Sequence, residues 1–310
     1  MKNYAVMDFS IGSISLLIGG VEGRCQEVIF KTKTQLHLPD FMTSSGKLKA
    51  KGMERLLEEA DNLIRKAHSL NVEDIYAIST TLLRNLSNAE EVARAIHLHT
   101  GLELENLSGA DEAYAVYVAN SRYRILEKAM LLHIGSSSTE LCDYSRPRKD
   151  AMFNLEFGAE TLTRNFVKNL YPDEDELEDI HNYTRKAIED CSEQTGKRKF
   201  ENAVVAGTNA EAVYKVYRAF YDLEEEKIPL MQTKKLDKLQ KALRKEKKRT
   251  KLLLDNVPEK AYVILPVIEM MLALLDHFNI TDITVSSIGV KEGWFRYKMD
   301  SKYEDRETTD

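Results

Sequence analysis

Residues 129–143 read AMLLHIGSSSTELCD. AMLLHI is an apolar run interrupted only by His133, as a buried strand would be. GSSS follows as a small-residue turn, and TELCD reads as a returning strand. A turn of this kind has backbone N–H groups outside either strand, the feature by which phosphate-binding folds hold a phosphate.

The pattern occurs earlier as well. Residues 5–18 read AVMDFSIGSISLLI, with Asp8 at the place His133 takes later. The two copies lie about one domain length apart, which predicts a duplicated α/β domain. Around the first copy, the sequence predicts strands over 4–7, 15–20 and 25–31 as an antiparallel start. Met53, Leu56, Leu57, Ala60, Leu63, Ile64 and Ala67 fall on one helical face. A strand over 75–79, a loop over 80–88 and helices over 89–99 and 111–120 follow. The second copy is predicted as strands over 129–134, 139–143 and 151–157, a helix over 159–170, strands over 202–206 and 283–287, and helices over 214–222 and 261–278. The expected domains are 1–122 and 123–310.

The 310 residues allow two ordinary domains, and 43% apolar residues suffice for two cores. A net charge of −6 argues against a nucleic-acid binder. Cys25, Cys142 and Cys191 are odd in number and form no CxxC pair, which supports neither a zinc knuckle nor a disulfide framework and fits a reducing compartment. The apolar N-terminus is interrupted by Asp8 and reads as strand–turn–strand, not as an export signal. The most apolar stretch, 261–280, carries Pro266, Glu269, Asp276 and His277, so it reads as a buried helix. A soluble cytoplasmic protein without a membrane partner is the expectation. Two charge runs stand out. DEDELED, 173–179, reads as a solvated helix start or loop. Residues 234–251 hold ten basic residues around Leu236, Leu239 and Leu243. They read as a surface helix with snorkelling cations or, alternatively, as a basic wall for a polyanion.

No Walker loop, GxSxG elbow, HExxH or EF-hand pattern is present. Seven segments, AVMDFSIGSISLLI, STTLLRNLSN, NLSGADEAYAVY, LLHIGSSSTEL, FNLEFGAETLTRNF, VVAGTNAEAVY and VSSIGVKEGWF, follow one another over almost the whole chain. In that order they resemble the exopolyphosphatase/guanosine-pentaphosphate phosphohydrolase (Ppx/GppA) family. The resemblance implies an α/β fold of two duplicated actin-like (RNase H-like) domains, with the active site in the cleft between them and the last helix, after Gly293, packing back on the first domain.

It also implies roles. Glu112 matches a catalytic base that activates water, against the plainer reading of a first-turn helix charge. Asp8 matches the acid that orients a metal or water in the first loop, against a turn-initiating Asp. Arg84 matches a phosphate-gripping arginine, against a surface salt bridge. Gly12, Ser13, Gly135, Ser136, Ser137 and Ser138 match phosphate-loop positions, and Gly207 and Thr208 a third, nucleotide-facing loop. The implied cofactor is a divalent cation, Mg²⁺ or Mn²⁺. The implied ligand is polyphosphate or a phosphorylated nucleotide, and a homodimer is left open.

The departures bear on activity. The family's second loop reads Asp-x-Gly-Gly-Gly-Ser; here His133 replaces the acid and Ser136 and Ser137 replace glycines. Ile11 stands where a polar loop residue is expected, and Thr161 where an arginine is usual. Imidazole is a poor ligand for a hard cation. His133 therefore reads as a lost metal ligand, as a cation meeting phosphate directly, as a ligand for a softer metal such as Mn²⁺ or Zn²⁺, or as a packing residue. The remaining histidines show no metal spacing. Three functions follow: a phosphoanhydride hydrolase, a silent module that binds a phosphorylated ligand without turnover, and, more weakly, ATP hydrolysis of the sugar-kinase kind.

Overall fold

The computed structural model describes residues 1–146, 152–191 and 200–307. It divides into two compact units. One is Met1–Ala119 together with the chain from Val290 onward, and the other is Asn120–Gly289.

In the first unit, β1 (Lys2–Phe9), β2 (Ser13–Glu22), β3 (Cys25–Gln35), β4 (Val72–Ser79) and β5 (Leu104–Asn106) form a sheet of order β3-β2-β1-β4-β5. β1 pairs antiparallel with β2 and parallel with β4. Tyr4, Ala5, Val6 and Met7 are all buried, so central strand β1 is apolar on both faces instead of alternating. Edge strand β3 is largely exposed. α1 (Ala50–Ser69) buries Leu56, Ala60, Leu63 and Ala67, the stripe its spacing predicts. α2 (Ala89–Thr100) and α3 (Gly109–Ala119) follow, and the last helix, Val290–Glu307, packs on α3. Gly293, expected to precede this last helix, lies inside it. A Cβ there would stand 1.7 Å from the carbonyl oxygen of Ala115, so only glycine admits this approach of two backbones.

The second unit repeats the plan. β6 (Ala129–Ile134), β7 (Thr139–Asp143), β8 (Met152–Leu155), β9 (Asn202–Ala206), β10 (Leu230–Gln232) and β11 (Asp282–Ser286) form a sheet of order β10-β11-β9-β6-β7-β8. β8-β7-β6-β9-β11 matches β3-β2-β1-β4-β5 in order and in strand sense, with β10 added at one edge. Residue 151, expected to begin β8, lies outside the described residues.

The helices are α4 (Ala159–Phe166), α5 (Glu174–Asp190), α6 (Thr208–Tyr221), α7 (Thr233–Leu243), α8 (Glu246–Asn256) and α9 (Ile264–His277), and the last helix of the chain is α10. α9 is buried almost all round, which explains its continuous apolar sequence. DEDELED starts α5 through a capping box: Glu176 N–H donates to Asp173 Oδ1 (2.9 Å) and Asp173 N–H to Glu176 Oε2 (3.1 Å). The basic run is two helices, not one. α7 buries Leu236, Leu239 and Leu243, and α8 begins after Lys245. Among the described residues, no helix is long and apolar enough to cross a membrane.

Candidate active site

In both units the expected site residues follow the carboxyl ends of the central parallel strands, where α/β sheets bind ligands. The second loop, Gly135 to Ser138, closes the β6–β7 hairpin with Gly135 N–H donating to Ser138 O (2.9 Å). Its carbonyls are taken up from below. Ala159 N–H donates to Gly135 O (3.0 Å), and Glu160 and Thr161 N–H donate to Ser136 O (2.9 and 3.2 Å). Gly158 makes room for this seat, since a Cβ there would stand 2.5 Å from Gly135 O. Asn209 Nδ2 donates to both Ile134 O and Gly135 O at 3.1 Å. With the carbonyls engaged, the backbone N–H groups of Ser136, Ser137 and Ser138 have no hydrogen-bond partner among the described residues. Ser137 and Ser138 are buried, where an unpaired N–H is costly and an anion would satisfy it.

His133 and Glu140 are directly opposite across β6 and β7, so their side chains share a face. His133 Nδ1 lies 2.5 Å from Glu140 Oε2. Glu140 is 2% exposed, and its Oε1 is buried with no partner among the described residues. The Cδ2–Nε2 edge of the ring faces Gly207, where a Cβ would come within 3.0 Å of both atoms. Gly207 has φ +100°, a conformation that suits glycine, and caps the N-terminus of α6. Lys260 Nζ donates to Thr208 Oγ1 (3.1 Å) and to Asn209 Oδ1. His133, Gly135 to Ser138, Gly207 and Thr208 are thus brought together, with Glu140, Asn209 and Lys260 as neighbours that sequence reasoning missed. Glu140 was discoverable as the residue across a four-residue turn from His133. Lys260, 51 positions from Asn209, left no signal in the sequence.

The first loop has the same frame and a different outcome. Asp8 pairs across the strands with Ser15, and Ser10 N–H donates to Ser13 O (2.9 Å) as Gly135 does to Ser138. Here, however, Ser13 N–H donates to Ser10 Oγ (3.2 Å), and Ile11 N–H to Thr81 Oγ1 (3.3 Å). Gly12 O accepts from Leu36 and His37 N–H. Ile11 is buried, so it serves the core and not a ligand. Asp8 Oδ1 accepts from Thr80 Oγ1 (3.0 Å), and Lys291 Nζ donates to Ser15 Oγ (2.8 Å).

Arg84 and Glu112 also belong to the first unit. Arg84 follows β4; its Nη1 donates to Leu107 O (2.6 Å) and Glu112 Oε1 (2.5 Å). Glu112, in the first turn of α3, is 3% exposed. The helix-capping part falls to its neighbour: Asp111 N–H donates to Ser108 Oγ (3.2 Å) and Ser108 N–H to Asp111 Oδ2 (3.2 Å). Arg84 Nε and Nη2 are buried with no partner among the described residues. These two donors form the edge with which a guanidinium grips two oxygens of one phosphate. Among the described residues, no three His, Cys, Asp or Glu side chains converge as a metal-ion site.

Comparison with known proteins agrees with this architecture. Residues 19–302 match the Ppx/GppA phosphatase family. Exopolyphosphatase 1 of Mycobacterium tuberculosis (strain ATCC 25618 / H37Rv) is 27% identical over 165 residues, 52% of this chain and 48% of that protein. Its Mycobacterium leprae counterpart is 24% identical over 194 residues, 60% of this chain and 56% of that one. The chain thus spans about half the length of the curated relatives it matches. An exopolyphosphatase structure from Cytophaga hutchinsonii superposes with a TM-score of 0.83 at 17% identity, covering 97% of this chain and 98% of that one. The Aquifex aeolicus Ppx/GppA family member gives 0.78 at 19% identity, with 97% and 98% covered. The fold is the duplicated actin-like α/β fold, and the chain belongs to the Ppx/GppA phosphatase family.

Proposed function

We propose that this protein is a phosphoanhydride hydrolase that removes terminal phosphate from polyphosphate or from a phosphorylated nucleotide of the guanosine tetra- or pentaphosphate kind, in a cytoplasmic setting. The observation that carries the proposal is the set of three successive unpartnered N–H groups at Ser136, Ser137 and Ser138. Such a nest matches the oxygens of a terminal phosphate. Thr208, at the N-terminus of α6, adds the positive end of a helix dipole.

In the proposed reaction, Glu112 accepts a proton from the attacking water. Arg84 presents its Nε and Nη2 edge to the phosphate and spreads the charge that develops on the equatorial oxygens. The ion pair with Glu112 orients that guanidinium before substrate arrives. The reading requires residues of both units to act on one phosphate, an expectation that comes from the family resemblance. Of the residues placed by that resemblance at a divalent cation, Asp8 retains the hard oxygen donor such an ion prefers. When bound, the ion would supply charge neutralisation at the phosphate.

The test is phosphate release from polyphosphate, guanosine pentaphosphate and ATP, with Glu112→Gln in parallel. The expected result is release by the wild type on one of the first two substrates and a fall of about 10²-fold or more in the variant. No release by either protein, with ligand-dependent thermal stabilisation of both, would instead identify binding without turnover.

A further inference from the structure

We infer that His133, held by Glu140, takes the place of a divalent cation at the second loop and meets the bound phosphate with its Nε2–H. This inference rests on the phosphate-binding reading above, but not on turnover.

The family pattern puts an aspartate at position 133. Opposite Glu140, that would make two carboxyl groups on one face of a hairpin, an arrangement that calls for a cation or a shared proton between them. In this chain the partner of Glu140 is an imidazole at 2.5 Å. One carboxyl group thus stands at the hairpin instead of two, and one of its oxygens is already hydrogen-bonded by the ring.

Donor chemistry points the same way. Mg²⁺ takes oxygen ligands and gives up its waters reluctantly. Glu140 Oε2 is occupied by the ring, and Oε1 is buried, out of reach of an ion that keeps its hydration shell. His133 Nδ1 is committed to Glu140, which leaves Nε2 without a hydrogen bond among the described residues. The residues at this loop therefore do not fit the ion that the family resemblance implies.

They do fit a phosphate. Nδ1 hydrogen-bonds the buried Glu140 carboxyl, and a ring that also carries a proton on Nε2 can donate to an anion there. That N–H sits on the edge that faces Gly207 and the N-terminus of α6. Glycine at 207 leaves open the space that a Cβ would fill beside Nε2. Glu140 acts through the ring, as a positioning residue.

Two measurements on the full-length protein test this. The first is Mn²⁺ binding by electron paramagnetic resonance in Asp8→Asn, which removes the carboxylate of the first loop. The expected result is no Mn²⁺ bound at positions 133 and 140. One Mn²⁺ per chain that disappears on adding His133→Gln would overturn the inference. The second is ring ¹⁵N spectroscopy of His133 during titration with inorganic phosphate. The expected result is a shift of Nε2, together with about tenfold weaker phosphate binding in His133→Gln. Phosphate binding that is equally tight in wild type and His133→Gln would overturn it. Glu140→Gln should mix the two ring tautomers in the ¹⁵N spectrum with the fold intact; an unchanged ring pattern would remove Glu140 from the positioning role. Both measurements are made at equilibrium. A protein that binds phosphate through His133 but releases none from polyphosphate would refute the proposed reaction and leave this inference standing.

Discussion

The two loops share one frame and differ in where their donors go. Both close with the same hydrogen bond across four residues, from Ser10 to Ser13 and from Gly135 to Ser138. In the first, Ser10 Oγ and Thr81 Oγ1 accept two of the three loop N–H groups, so only that of Gly12 is left without a partner among the described residues. In the second, no side chain does this, and three N–H groups remain for a ligand. Duplicated elements with one topology can thus diverge in function through single side chains at the turn. The serines at 136 and 137 replace expected glycines without closing the second loop, whereas one serine at position 10 helps to close the first.

Three changes sharpen or break the contrast. His133→Asp should act most strongly. It sets two carboxylates face to face and should cost about 3 kcal/mol, the scale for an uncompensated buried charge. Mn²⁺ should then raise the melting temperature of the variant and leave that of the wild type unchanged at this site. Equal metal effects on the two proteins would show that His133 is not what removes the cation site. Gly158→Ala comes next, at about 1–3 kcal/mol, because its Cβ would meet loop backbone instead of a side chain that can move. Denaturant unfolding measures the loss; an unchanged midpoint would mean that the loop is not seated on Gly158. Ser10→Gly should be mildest, at about 1 kcal/mol for a lost hydrogen bond. By freeing Ser13 N–H it should make the first loop resemble the second, seen as new phosphate-induced amide shifts there. If those shifts are missing, Ser10 is not what closes the loop.

The fold was largely legible because its central strands are buried on both faces. β1 and β6 read as apolar runs, and the stripe on α1 reads as a helix at once. β5 and β10 escaped notice because three residues carry no periodicity. The capping box of α5 lay in plain view as Asp173 and Glu176 inside an acidic run, but charge density hid it. In the site, residue identity was readable and pairing was not. Arg84 and Glu112 stood out separately, while their ion pair depends on how the chain after β4 meets the first turn of α3. The closure of the first loop is likewise a matter of hydroxyl geometry that composition does not carry.

The central claim is that the second loop presents three open phosphate donors where the first keeps one, Gly12 N–H. It is tested most directly by titrating ¹⁵N-labelled protein with tripolyphosphate and following the backbone amides. The account predicts large shifts at Ser136, Ser137 and Ser138 and small ones at Ile11 and Ser13. Large shifts at Ile11 and Ser13, with Ser136 to Ser138 unmoved, would contradict it.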